Sequence, residues 1–182
     1  MTAEKKQELA VIKQVLGGDH DAYRALVDRY HKGLINHLYS LVGERETAED
    51  LAQEAFLQAF QKLDSYNSKY AFSTWLYKIA TNRAYSHLRK RKTLPLFDAD
   101  RQISDEDVSE KVERRERQRQ VFASVQRLPN HYRAVVSLYY WRGLSYEEMA
   151  VAVDAPVGTV KTWLHRAKSE LREDLYEIEE TR

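Results

Sequence analysis

Apolar residues recur along this 182-residue chain at steps of three and four, the period of an amphipathic helix. Glycine and proline, which interrupt helices, number only six and three, and no useful stretch alternates with the two-residue period of a strand. The pattern therefore predicts an all-α protein. The predicted helices run over 4–16, 19–42, 47–63, 72–91, 109–128 and 130–142, and two shorter helices follow between Leu144 and Leu171.

Helix boundaries are marked by residues that cap or break helices. Gly17 and Gly18 form a stop signal, after which Asp19 is placed to cap the next helix. Gly43 ends that helix, and Thr47 with Asp50 is placed as a capping pair for the one after it. We therefore expect separate helices with defined ends.

The last third of the chain predicts a helix-turn-helix unit. Ser145 followed by Glu148 is a capping box, which starts the first helix, and the run 154–156 ends it at a proline. The second helix places Val157, Val160, Leu164, Ala167 and Leu171 on one apolar stripe. Its outer face is polar and basic, as in a helix that reads the major groove of DNA. The same periodicity is also typical of an amphipathic surface helix with a solvated basic face, but the capped two-helix unit favours DNA binding.

Charge is segregated although the formal net charge is only +1. A basic block at 89–92 precedes an acidic run within 98–110, and Pro95 lies between the two. Such asymmetry favours a nucleic-acid partner, and the acidic stretch is typical of a flexible connector. We therefore expect two small helical domains, 1–92 and 113–182, joined by a flexible acidic linker at 93–112.

Composition argues against several other classes. The chain has no cysteine, which excludes disulfides and cysteine-based zinc sites, and its apolar runs are too short to span a bilayer. The six histidines have no metal-ligand spacing, and there is no phosphate-binding glycine loop or nucleophile elbow. The opening residues are polar rather than secretory. We expect a cytoplasmic protein without metal, cofactor or catalytic activity of its own, and without direct membrane insertion.

Three motifs resemble bacterial sigma factors of the extracytoplasmic function (ECF) subfamily. They are AEDLAQEAF at 48–56, FSTWLYKIATN at 72–82 and PVGTVK at 156–161, in the order and spacing of that family. The chain looks most like the group that includes the SigW-type factors. The resemblance implies a factor that binds core RNA polymerase, directs it to promoters through −35 and −10 elements and assists promoter melting. It also implies regulation by an anti-sigma protein.

The resemblance assigns the helix of the first motif to the clamp helices of the polymerase. Its inward stripe is expected to contain Leu51, Ala55, Ala59 and Leu63, and the residues off that stripe form the polymerase-binding set. This set is Asp50, Gln53, Glu54 and Leu57. Paired acids beside an exposed leucine suit a basic helical partner, although without the resemblance the residues alone favour an ordinary solvated helix face.

The second motif and the loop before it correspond to the family's −10 recognition and melting region. The residues implied are Asp64, Tyr66, Asn67, Tyr70, Asn82, Arg83, Ser86, Arg89 and Lys90. The tyrosines are candidates for stacking on bases and the basic residues for holding phosphates. Trp75 shares the apolar face of this helix, so a core position is expected for it. The basic block that ends the helix is also favourable near a helix C-terminus without any DNA.

The third motif places the −35 contacts on the second helix of the helix-turn-helix. They are Thr159, Lys161, Thr162, Trp163, His165, Arg166 and Lys168. Trp163 departs from the family, which commonly has a polar residue there, so it either packs on a neighbouring helix or meets thymine methyls. For the acidic linker, a plain tether and a strand in the polymerase's RNA exit path remain equally consistent.

A second class of function explains part of the chain. A helix-turn-helix repressor or response-regulator output domain would account for the C-terminal unit but would leave the motifs at 48–56 and 72–82 without a role. Tight binding of the isolated protein to a duplex promoter would favour that alternative.

Overall fold

A computed structural model describes residues 3–92 and 110–180, which form eight α-helices and two short 3₁₀ helices with no strand among them. The α-helices are α1 Ala3–Leu16, α2 Arg24–Val42, α3 Arg45–Gln61, α4 Phe72–Lys92, α5 Glu110–Arg127, α6 Asn130–Tyr140, α7 Tyr146–Val153 and α8 Val157–Glu180. The 3₁₀ helices are His20–Tyr23 and Leu63–Ser65. The all-α fold class predicted from the sequence is confirmed.

The N-terminal unit is a bundle of α1–α4 around α2. Leu34, Leu38 and Leu41 are fully buried at steps of four and three along α2, the helix that packs against α3 and α4 within this unit. The predicted inward stripe is confirmed, since Leu51, Ala55 and Ala59 of α3 and Leu63 of the following 3₁₀ helix are all buried. Phe72 and Leu76 of α4 are also fully buried, whereas Trp75 is half-buried and packs against the edge of this core.

Two predicted helix starts differ from the structure. Asp19 caps a 3₁₀ turn, accepting a hydrogen bond of 3.3 Å from the Ala22 amide, and α2 begins only after that turn. The capping role predicted for Thr47 is wrong, because α3 begins two residues earlier, after an extended Glu44. The Thr47 hydroxyl instead donates a 2.7 Å hydrogen bond to the Glu44 carboxylate. The first turn of α3 is thus held by side chains and not by a threonine cap.

The C-terminal unit contains α5–α8. Pro129 stands immediately before α6, whose residues Ala134, Val135 and Leu138 are completely buried. In the predicted apolar stripe of α8, Val160, Leu164 and Ala167 are buried, and Val157 and Leu171 at its two ends are half-buried. The hydrophobic face of α8 therefore packs on α6 and α7 and leaves its opposite face to solvent.

The two units share one hydrophobic core. Helix α2 packs against α6, and α4 packs against α7, so buried residues of both units form a continuous cluster. The predicted flexible linker falls mainly at 93–109, outside the described residues, and α5 begins at Glu110, close to the predicted position 109. The position of each functional surface is therefore fixed by the packing of α2 and α4 on α6 and α7.

Candidate nucleic-acid interface

The start of the helix-turn-helix unit is fixed by hydrogen bonds within one turn. The Ser145 hydroxyl accepts from the Glu148 amide at 3.3 Å, and the Glu148 carboxylate accepts from the Ser145 amide at 2.9 Å. Both halves of the predicted capping box are therefore present. Asp154 ends α7 in the left-handed conformation, with φ of 55°, and turns the chain towards α8. This turn presents the outer face of α8 to solvent.

The outer face of α8 contains the predicted −35 residues. Lys161, Thr162, His165 and Arg166 are exposed, and Thr159, Trp163 and Lys168 are half-buried beside them. The Thr162 hydroxyl donates its proton to the Gly158 carbonyl at 3.0 Å, which leaves its oxygen lone pairs free to accept. The face therefore offers cationic donors and hydroxyl acceptors, the groups that contact base edges and phosphates.

Two lysines of α8 lie over tyrosines of α6 and α7. The Lys161 ammonium is 5.4 Å from the Tyr146 ring centre, and the Lys168 ammonium is 4.8 Å from that of Tyr139 and 5.5 Å from that of Tyr140. Cation–π attraction of this kind restrains a flexible lysine. This aromatic support could not be predicted from the sequence, since nothing in the spacing of these tyrosines pairs them with α8.

Trp163 packs within the protein. Its ring centre is 4.7 Å from that of His131 at the start of α6, and the side chain is half-buried against the core. Burial lowers the pKa of His131, which favours the neutral ring for this contact, while the Glu170 carboxylate acts in the opposite direction. Of the two roles considered for Trp163, the structure shows the packing one.

The loop before α4 is folded on itself. The Tyr66 hydroxyl donates to the Tyr70 carbonyl at 2.7 Å, and the Asn67 side chain accepts from the Lys69 amide at 2.9 Å. The Tyr66 ring lies 5.8 Å from Phe72 and 5.5 Å from Trp75, measured between ring centres. Burial raises the pKa of Tyr66 to about 12, with Glu8 as a second cause, so this phenol stays protonated and can donate.

Tyr66 is therefore half-buried and engaged by its own protein. Asp64 and Asn67 are exposed beside it, and Tyr70 is half-buried with the Lys69 ammonium 5.5 Å from its ring centre. A base that stacks in this loop would meet a pre-ordered structure rather than a free tyrosine.

The solvent side of α4 presents a row of polar residues. Asn82, Arg89 and Lys90 are exposed, while Ser86 is half-buried. The Ser86 hydroxyl donates to the Asn82 carbonyl at 2.9 Å and accepts from the Arg89 guanidinium at 3.2 Å. Successive turns of α4 thus place an amide, a hydroxyl and basic groups along one side.

Arg83 joins α4 to α3. Its Nε donates to the Gln58 amide oxygen at 2.8 Å, and its guanidinium forms an ion pair with Glu54. The family resemblance implies a polymerase contact for Glu54 and a DNA contact for Arg83, but in the structure these two side chains bind each other. Each of these two predicted contacts therefore competes with an ion pair inside the protein.

A cleft of about 550 Å³ lies between α3 and α4. Its walls include Glu54, Gln58, Trp75, Asn82, Arg83 and Lys90. An open cleft of this size with an aromatic wall and several hydrogen-bonding groups is large enough for a nucleobase. The structure thus brings together most of the predicted −10 residues of α4.

The predicted polymerase-binding residues lie on the exposed side of α3. Asp50, Gln53 and Glu54 are exposed, and Leu57 has 58 % of its surface open to solvent. An apolar side chain this exposed beside two carboxylates suits a helix surface that pairs with a basic helical partner. No helix in the described ranges is long and apolar enough to cross a membrane.

Comparison with known proteins matches both units. The family described as Sigma-70 region 2 matches residues 26–93, and that described as Sigma-70, region 4 matches residues 118–171. The chain is 37% identical over 179 residues to the ECF RNA polymerase sigma factor SigW of Bacillus subtilis, covering 92% of this chain and 96% of that one.

Solved structures show the same fold. The structure of CnrH in complex with the cytosolic domain of CnrY matches with a TM-score of 0.71 and 23% identity, over 92% of this chain and 96% of that one. The sigma factor RpoE in complex with the anti-sigma factor NepR from Bartonella quintana matches with a TM-score of 0.70 and 25% identity, over 85% of this chain and 96% of that one.

Proposed function

Because this chain belongs to the ECF sigma factors, we propose that it binds core RNA polymerase, directs it to a set of promoters through −35 and −10 elements and assists their melting. One observation carries the proposal. The chain combines three surfaces: the exposed basic face of α8 in a capped helix-turn-helix, the polar cleft between α3 and α4, and the exposed side of α3 with its acids and Leu57. The three surfaces correspond to the three tasks.

The −35 element is read by the outer face of α8. Arg166 is exposed at its centre and is suited to bidentate contacts with guanine, while Lys161 and Lys168 are positioned by the tyrosines for the flanking phosphates. Thr159, Thr162 and His165 add contacts along the same face. Trp163 contributes by packing the start of α6 against α8.

The −10 element is opened at the cleft between α3 and α4. A base leaving the duplex is received by the cleft, where Asn82 offers hydrogen bonds and Trp75 an aromatic surface. Ser86, Arg89 and Lys90 hold the strand backbone, and Asp64 to Tyr70 form the loop that contacts the displaced base. When the strand enters, phosphate oxygens replace Glu54 as the partner of Arg83.

The polymerase is held by the exposed side of α3, through Asp50, Gln53, Glu54 and Leu57. This assignment follows from the family position of the helix together with its exposure. Release of Glu54 by Arg83 during strand entry would make the carboxylate available to a basic clamp helix. Polymerase binding and strand capture are therefore linked through one ion pair.

An anti-sigma protein is the expected regulator. The matching RpoE structure is a complex with the anti-sigma factor NepR, and the similarity covers 85% of this chain. The cytoplasm, where polymerase and promoter meet, is the proposed location.

Run-off transcription tests this function. Core RNA polymerase is incubated with a genomic fragment library, with and without the protein, and start sites are mapped. Discrete starts that appear only with the protein, sharing two upstream elements, are the expected result. Absence of new starts, together with tight duplex binding by the protein alone, would instead support the repressor alternative.

A further inference from the structure

Helix α1 lies against the loop before α4, to which the proposed function assigns the displaced −10 base. It packs on the 3₁₀ helix Leu63–Ser65 at the start of that loop, and the Lys5 ammonium donates to the Lys69 carbonyl at 3.3 Å. Ile12 and Val15 attach the same helix to the hydrophobic core. The family match for region 2 begins at residue 26, so α1 lies outside it. Helix α1 is thus joined to both the core and the loop.

Helix α1 carries a buried carboxylate, that of Glu8. Only 6% of Glu8 is exposed, and it is the one acidic residue buried among those that the structure describes. Two residues of α2 hold its carboxylate: the Tyr30 hydroxyl donates a hydrogen bond to it, and the Arg29 guanidinium lies 3.5 Å away. Removing a partner from a buried charge is strongly unfavourable, so these contacts fix the position of the Tyr30 ring.

An aromatic cluster of Tyr30, Phe72, Tyr66 and Trp75 extends from α2 to the loop. The Tyr30 ring centre is 5.8 Å from that of Phe72, which is 5.8 Å from that of Tyr66. Tyr66 in turn is 5.5 Å from Trp75, which lines the cleft between α3 and α4. These distances are typical of favourable aromatic pairs, and Phe72 in the middle is fully buried, which leaves it little room to move. A displaced Tyr30 ring would therefore displace Phe72 and Tyr66 as well.

The charge of Glu8 also acts on both tyrosines. Burial, the hydrogen bond to Glu8 and its charge raise the pKa of Tyr30, and burial together with the Glu8 charge raises the pKa of Tyr66. Both phenols are therefore protonated at neutral pH and donate, Tyr30 to Glu8 and Tyr66 to the Tyr70 carbonyl. Glu8 thus lies close enough to the loop to favour the donor that closes it.

We infer that Glu8 of α1 is a positioning residue for −10 capture: through the aromatic cluster it holds Tyr66 and the rest of the loop in the form that receives the displaced base. The inference rests on the proposed promoter function. A loop already ordered when the base arrives loses less conformational entropy on capture, so the complex is tighter. Loss of the Glu8 carboxylate should weaken base capture and spare the −35 and polymerase contacts, which are assigned to α8 and α3.

Abasic promoter DNA tests this inference. Core polymerase with the full chain is titrated with forked DNA whose −10 strand is single-stranded and is either intact or lacks one base, at each position in turn. The ratio of the two affinities measures capture of a base, and we expect it to reach about fivefold or more for wild type at one position. Glu8→Ala should reduce that ratio by about threefold or more. Glu8→Gln, whose amide oxygen still accepts from Tyr30, and Gln7→Ala, at an exposed position of the same helix, should keep it.

A second pair of variants separates positioning from stability. Tyr30→Phe removes the hydroxyl that binds Glu8 and keeps the ring, and Glu8 retains Arg29 as a partner. Tyr23→Phe is the matched control, because the Tyr23 hydroxyl also makes an internal hydrogen bond, at 2.9 Å, but to the Phe56 carbonyl of α3 and not to the loop. Both variants should lose some thermal stability, which circular dichroism measures, but only Tyr30→Phe should lose the preference for the intact base.

The outcomes separate the inference from the function on which it rests. An unchanged ratio in Tyr30→Phe or in folded Glu8→Ala, or an equal loss on intact and abasic DNA, overturns the positioning role and leaves the sigma function intact. A loss in Glu8→Gln as large as in Glu8→Ala also overturns it, since the hydrogen bond would then not be the cause. Wild-type protein that directs no promoter-specific transcription overturns the proposed function, and the positioning role with it.

Discussion

At the scale of single residues, the environment of a side chain decides its role more than its type does. The six histidines have no common motif, yet His37 is completely buried between two hydroxyls and His165 is exposed on the outer face of α8. Burial, assisted by the positive charge of Arg142, lowers the pKa of His37 to about 3. The first is a structural group and the second a candidate for DNA contact.

His37 should make the folded protein sensitive to acid. Its folded pKa lies below the ordinary value of 6.5. At a pH between these two values, His37 is therefore protonated in the unfolded chain and neutral in the folded chain. Its contribution to stability is complete above pH 6.5 and is lost as the pH falls from there towards 3, by up to about 1.4 kcal/mol per pH unit. Urea unfolding at pH 7, 6 and 5 measures the slope.

His37→Gln keeps a neutral hydrogen-bonding group that does not titrate, and His20→Gln at an exposed position is the control. Burial also lowers the pKa of His131, but that effect is common to all three proteins and cancels in the comparison. The pH slope should fall only in His37→Gln, and equal slopes in wild type and this variant would contradict the assignment.

Arg166 should determine sequence preference at the −35 element. Replacing it by alanine is expected to weaken binding to the cognate element by about 1–3 kcal/mol and to leave polymerase affinity unchanged. Arg172→Ala, also exposed and on the same helix, is the control. Competition between promoter variants measures the effect. Equal losses on all sequences and in polymerase binding would show that Arg166 has a structural role.

At the scale of elements, α3 and α4 act as a pair because Arg83 and Glu54 connect them. Asp50 and Glu54 lie one helical turn apart on the same exposed side of α3, but only Glu54 also reaches α4. A charge reversal at each position should therefore have different consequences.

We expect both Asp50→Lys and Glu54→Lys to lower affinity for core polymerase several-fold, because each places a cation against a basic partner. Only Glu54→Lys should also change promoter melting, since it removes the partner of Arg83 and places a like charge beside it. Polymerase titration and permanganate footprinting give the two readouts. Unchanged affinity in both variants would remove α3 from the polymerase interface.

Features that depend on residues close in sequence were mostly predictable for these elements. Contacts between residues far apart in sequence were not. The Ser145–Glu148 box was correct because its hydrogen bonds lie within one turn. The Thr47 cap failed because an extended Glu44 starts α3 earlier. The contact of His37 with Ser137 joins residues 100 positions apart, and neither residue belongs to a sequence motif from which the other could be predicted as its partner.

The candidate site shows the same division. The exposed face of α8 followed from helical periodicity, and its residues lie where the periodicity placed them. The tyrosines beneath Lys161 and Lys168 come from other helices, and the Arg83–Glu54 pair joins two motifs assigned to different partners. Which residues are exposed was predictable, but which of them touch each other was not.

At the scale of the whole molecule, the N-terminal and C-terminal units share one hydrophobic core. Because α2 and α4 lose packing when α6 and α7 leave, we expect the free protein to unfold in a single cooperative transition. Trp75 reports on α4 and Trp163 on α8, so fluorescence can follow each unit separately.

Two double variants isolate these reporters: Trp141→Phe with Trp163→Phe, and Trp75→Phe with Trp141→Phe. The denaturation midpoints from the two fluorescence signals should coincide with each other and with that from circular dichroism. Two separate midpoints would show that the units are stable independently and that their contact adds little.

From the C-terminal unit, Gln126 and Arg133 donate hydrogen bonds to the main-chain carbonyls of residues 40 and 41 in α2. Every amino acid supplies such an acceptor, so substitutions at those two positions leave these bonds available as long as α2 keeps its course. The donors, in contrast, are specific side chains. Variation in these two hydrogen bonds among related sequences should therefore arise on the C-terminal unit, where a single codon change at position 126 or 133 removes the donor.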